Sequence, residues 1–76
     1  MKNLNFFSER VKQLRIDNNL SQPELGKAVN LSKQTINGLE HGRSKTTLDK
    51  VVIIADYFNV SIDYLVGRTD KPEINK

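Results

Sequence analysis

The sequence predicts an all-α fold, a compact bundle of five short helices, and three observations carry that reading. Apolar residues recur at spacings of three and four, as in Phe7, Val11 and Leu14, and no stretch alternates as a half-buried strand does. Ser21, Ser32, Thr46 and Ser61 each stand just ahead of such a segment, where a hydroxyl can cap a helix. Asn or Gly follows the segments, and both tolerate the left-handed backbone that ends a helix.

The first helix is expected over residues 5–18, with Phe7, Val11 and Leu14 on one face and Asn18-Asn19 ending it. "SQPE" opens the second. Ser21 as N-cap and Glu24 three residues on make a capping box, and Pro23 in the first turn forfeits no hydrogen bond. Leu25, Ala28 and Val29 form its inner face, and Asn30 supplies a left-handed pivot. Ser32 caps a third helix that runs to His41, and Gly42 stops it. Arg43-Ser44-Lys45 is a basic loop. Thr46 caps a fourth helix with Asp49 in its first turn, and Leu48, Val51, Val52, Ile54, Ala55 and Phe58 face inward. After Asn59, Ser61 caps a last short helix carrying Ile62 and Leu65, closed by Gly67. The organisation expected is one domain over residues 1–67 and a polar tail or linker start over 68–76.

Composition narrows the function classes. The chain of 76 residues has no Cys, which excludes a disulfide framework and a thiolate metal site. Its longest apolar run, residues 51–55, is far short of the roughly 20 needed to span a bilayer, so neither a membrane partner nor a targeting segment is expected. No nucleophile–base pair, phosphate loop or carboxylate cluster appears beside the single His. The chain is therefore not expected to be an enzyme or to hold a metal, cofactor or small-molecule ligand. A net charge of +3 permits a nucleic-acid partner without demanding one.

The second and third helices are joined by about three residues, which is the helix-turn-helix arrangement. The short turn makes the axes cross steeply and leaves one face of the third helix outward. "NLSKQTINGLEHG" explains itself on that geometry. A helix covering only a core would carry Glu and Lys outside, whereas this one offers Lys33, Gln34, Asn37 and Gly38. Lys donates to guanine O6 and N7, and the Gln and Asn amides match adenine N7 and N6. Gly38 admits a thymine methyl or the backbone closely. Gln22, His41, Arg43 and Lys45 lie around this face, suited to phosphates. The bland alternative, a solvated face, is the better reading of Lys33 and Gln34 only without the turn.

"LSQPELGKAVNLSKQTINGLEHGRSK" followed by "TLDKVVIIADYFNVSIDYLVGR" resembles the phage lambda-repressor and Cro-like helix-turn-helix family, also called the XRE family. The resemblance covers residues 7–67. It implies a five-helix DNA-binding domain, a transcriptional regulator and most often a repressor, cytoplasmic in a bacterium or phage-derived. By position it implies base contacts from Lys33, Gln34, Asn37 and Gly38 and phosphate contacts from Gln22, His41, Arg43 and Lys45. It also implies a structural ion pair between Arg15 and Glu40. Gly26 stands where the family mostly has Ala, Gly38 where larger side chains are common, and Thr46 where Pro is usual. The family acts on palindromic double-stranded operators, usually as dimers. A weak homodimer is expected through Tyr64 and Val66 on the fifth helix. Ile53 and Tyr57 read either as isolated exposed apolar residues or as a small contact patch. The rival function is a protein-interaction module of the same fold, such as an antitoxin.

Overall fold

The computed structural model describes residues 5–42 and 47–73. Among them the chain forms helices α1 (Asn5–Asp17), α2 (Gln22–Val29), α3 (Lys33–His41), α4 (Leu48–Phe58) and α5 (Ile62–Leu65), with no strand. Helices α1 and α2 both pack on α3, α4 packs on α2 and α5, and α5 returns to α1. Phe7, Val11, Leu25, Ile36, Leu39, Ile54 and Leu65 are the largest side chains that this arrangement buries completely. Each of the five helices contributes to that core, so it holds α3 from one side only.

The helix ends follow local chemistry. Ser21 accepts from the Glu24 backbone N–H while the Glu24 carboxylate accepts from the Ser21 N–H, closing the capping box. Hydrogen bonding to the carboxylate from the Ser21 backbone N–H, and then from the Ser21 hydroxyl, holds the Glu24 carboxyl below its ordinary pKa. Its contribution is present above the usual carboxylate range and is lost as pH falls through the lowered value. Asn19, Asn30 and Asn59 take left-handed φ values of 59°, 60° and 57°.

Several expectations are corrected. The fourth cap is Thr47, whose Oγ1 accepts from the Lys50 N–H, while Thr46 lies outside the described residues. The first helix ends at Asp17. Leu48 has the right angular position for the core but opens α4 a turn before the first buried residue, Val51, and is 70% exposed. Ile62 likewise opens α5 and is 40% exposed. Ala28 is exposed because α2 buries Leu25, Gly26 and Val29, which turns its inner face toward Gly26.

Gly26 is the reason. A Cβ there would lie 2.5 Å from the Leu31 carbonyl oxygen, which belongs to the turn between α2 and α3. The Gly26 carbonyl meanwhile accepts from the Leu31 N–H at 2.8 Å. Glycine thus costs helix propensity but permits the tight turn. Gly26→Ala is expected to destabilise the domain by about 1–3 kcal/mol through overpacking against backbone, despite the better propensity of Ala. Urea denaturation measures it, and a neutral or stabilising change would show that the turn relaxes.

The polar segment after α5 is held. The Arg10 guanidinium donates to the carbonyls of Tyr64 and Thr69 and to the Asp70 carboxylate, and it lies over the Tyr64 ring at 4.2 Å. The Ser61 N–H donates to the Pro72 carbonyl at 2.9 Å. Gly67, at φ 84°, rests against Phe6, where a Cβ would lie 2.7 Å from the ring.

Candidate nucleic-acid interface

Two short connections define the candidate surface. The chain leaves α2 at left-handed Asn30, and Ser32 caps α3 by accepting from the Thr35 N–H at 3.0 Å. Helix α3 then buries Ile36, Leu39 and Glu40. Lys33 and Gln34 are exposed in its first turn, and His41 is exposed at its end, its Nδ1 2.8 Å from the Asn37 carbonyl. A helix with its side chains is about 10–12 Å across, which matches a major groove about 12 Å wide.

The remaining candidates sit differently. Asn37 and Gln22 are half-buried and bonded to each other, Asn37 Nδ2 donating to Gln22 Oε1 at 3.3 Å. Gly38 is buried and, having no side chain, presents only backbone on this helix. Arg43 and Lys45 lie outside the described residues. Tyr64 and Val66 are half-buried and packed against the core rather than outward, Tyr64 beneath Arg10. Ile53 and Tyr57 are exposed, at 39% and 45%.

Behind this surface lies an ion pair. Arg15 Nε donates to Glu40 Oε2 at 2.6 Å, and Arg15 Nη2 donates to Oε1 at 3.1 Å. Arg15 Nη1 donates to the Leu20 carbonyl at 2.8 Å, tying α1 also to the start of α2. The Glu40 side chain is 0% exposed and that of Arg15 14%. The hydrogen bond to Glu40 raises the already high Arg15 pKa, so the guanidinium stays charged. Gln22 Nε2 donates to the same carboxylate at 3.2 Å. Polarity alone does not reveal this bridging Gln22. Its register opposite Glu40 depends on the crossing of α2 and α3.

The sequence model of the helix-turn-helix family matches residues 11–65. The transcriptional regulator YobD of Bacillus subtilis is 36% identical over 67 residues, covering 88% of this chain and 60% of YobD. The transcriptional activator BcrR of Enterococcus faecalis is 32% identical over 61 residues, covering 80% of this chain and 30% of BcrR. The chain therefore spans less than two thirds of these relatives. Among solved structures, the SOS-response transcriptional repressor LexA from Eubacterium rectale superposes with a TM-score of 0.77 at 28% identity. That superposition covers 100% of this chain and 82% of that one.

Proposed function

The chain belongs to the helix-turn-helix family, and from that membership we propose that it binds double-stranded DNA sequence-specifically and regulates transcription, with α3 in the major groove. One observation carries this reading. Helix α3 fixes Ile36, Leu39 and Glu40 in the interior while its first turn exposes Lys33 and Gln34, so a rigid helix presents base-reading chemistry at the end that docks. Lys33, Gln34, Asn37 and Gly38 are the proposed base contacts. Gln22, His41, Arg43 and Lys45 are the proposed phosphate contacts. The proposed regulatory sign is repression, since occupying an operator excludes polymerase without a further contact. The proposed partner places the protein in the cytoplasm, and no described helix is long and apolar enough to cross a membrane.

Lys33→Ala and Gln34→Ala are each expected to lose roughly 1–3 kcal/mol of discrimination at one or two base pairs. Arg43→Ala should weaken all sequences alike. Selection of bound duplexes from a random pool, repeated with each variant, separates the two behaviours. Identical profiles for all three would contradict the division into readers and anchors.

The proposed assembly on DNA is a two-fold dimer on an approximate palindrome. The domain measures 29 × 23 × 21 Å, so one module does not reach the next major groove, about 34 Å along the duplex. Helix α5 is the proposed self-contact, with Ile62 as its exposed apolar residue beside half-buried Tyr64 and Val66. So small a patch gives a weak free dimer that DNA strengthens by mass action. Ile62→Asp should leave the fold intact and reduce dimerisation, read by sedimentation with and without operator. A one-to-one complex at saturation on a palindromic site contradicts the dimer.

A further inference from the structure

We propose that residues 68–73, a strap that returns along α5, join Ile62 in a self-complementary surface whose partner is a second copy of this chain. This surface presupposes the two-fold dimer proposed above and supplies the contact that Ile62 alone is too small to make.

The strap is fixed before any partner arrives. Gly67 turns the chain at a φ of 84°, and the Arg68 N–H donates to the Asp63 carbonyl at 2.8 Å. Arg10 then holds the strap from α1, donating to the Thr69 carbonyl at 2.6 Å and to Asp70 Oδ1 at 2.8 Å. At the far end the Pro72 carbonyl accepts from the Ser61 N–H at 2.9 Å. Ser61 precedes Ile62 in the chain, so this bond brings the strap to the start of α5, beside the exposed apolar side chain. A segment held at both ends loses little conformational freedom on association, which removes one cost of binding. Six strap residues beside a single helical turn still make a small contact, in keeping with a weak free dimer.

The order of charges points to a second copy as the partner. From residue 68 to residue 73 the strap reads basic, neutral, acidic, basic, neutral, acidic. All four charged side chains are exposed, that of Asp70 by 97% even while Oδ1 takes the Arg10 bond. Among the described residues, Arg68, Lys71 and Glu73 have no ion pair within the chain. A two-fold contact sets a surface against itself, so residue i meets j and j meets i. With the axis between Asp70 and Lys71, Arg68 faces the copy's Glu73 and Asp70 faces the copy's Lys71, each pairing occurring twice. A slip of one residue either way sets Asp70 on Asp70 or Lys71 on Lys71, so like-charge repulsion defines the register. The strap has no net charge, and neither DNA phosphates nor a uniformly charged protein surface is drawn to it.

The test is a charge-reversal cycle on the outer pair, away from the Arg10 bonds. Wild type, Arg68→Glu, Glu73→Arg and the variant carrying both are sedimented over a concentration series at low salt, without DNA. Both residues are exposed, so the thermal melts of all four should coincide. Each single variant turns two attractive pairs into two repulsive ones and should raise the dimer dissociation constant on the order of tenfold. The double variant restores opposite charges in exchanged positions and should return to within about threefold of wild type. Net charge does not mimic this pattern, because the single variants shift it in opposite directions and the double variant leaves it at +3. Single variants that move association in opposite directions, or a double variant that stays as weak as they are, overturn the pairing. Equal dimerisation by all four proteins places the contact elsewhere and overturns the inference while leaving the dimer intact. A wild-type chain that is monomeric throughout and binds a palindromic duplex one-to-one defeats the dimer reading first, and this inference with it.

Discussion

Glu40→Ala is expected to lower the unfolding free energy by about 3–5 kcal/mol, enough to unfold much of a domain this small at physiological temperature. The size follows from burial. The Glu40 side chain is 0% exposed and that of Arg15 14%, so either charge left alone stays largely out of water. Among the described residues, Arg15 would retain only the Leu20 carbonyl, and Glu40 in an Arg15→Ala variant only the Gln22 amide. Neither neutral partner offsets the desolvation of a full charge. Replacing both residues with apolar ones of similar volume, such as Arg15→Met with Glu40→Leu, should cost far less, because no buried charge remains. The double variant is therefore expected to be more stable than either single one. Urea denaturation of the wild type, Arg15→Met, Glu40→Leu and the variant carrying both supplies the cycle, and near-zero coupling would mean that the pair contributes nothing as a pair.

Much of this architecture was legible in the sequence because it is local. Ser21, Ser32 and Ser61 cap where the spacing puts them, and Asn30 and Asn59 bend the backbone as short polar side chains can. Phe7, Val11 and Leu25 are buried as their periodicity requires. What was not legible depends on the third dimension. Thr46 and Thr47 are equivalent as caps until the helix register is known, and Leu48 and Ile62 have core-facing angles but lie at helix starts. The spacing of Gly26 and Leu31 does not show that a methyl group would meet a carbonyl oxygen. Arg10 reads as one more surface cation until the chain returns beneath it after α5, bringing three acceptors within reach.

The same holds for the candidate surface. Lys33 and Gln34 are exposed as amphipathicity predicts, because their neighbours Ile36 and Leu39 take the inner face. Gln22 and Asn37 were legible as polar residues near that face, but not as bonded to each other. They lie 15 positions apart and meet only through the crossing angle of the two helices.

The second large effect concerns salt. If about four phosphates are neutralised per chain, log affinity should fall against log salt with a slope near −3.6, roughly a hundredfold between 50 and 200 mM. The sequence-independent part of the binding carries this dependence, and the proposed phosphate contacts, Arg43 and Lys45 above all, are its proposed source. The base contacts add a preference that survives added salt, because they exchange hydrogen bonds rather than counterions.

Titration of a selected duplex and a scrambled duplex of equal length, each at several salt concentrations, tests the central claim most directly. The account predicts two steep lines separated at every salt concentration, the selected duplex at least about a thousandfold tighter. Equal affinities for the two duplexes, or no binding to either at low salt, would contradict it.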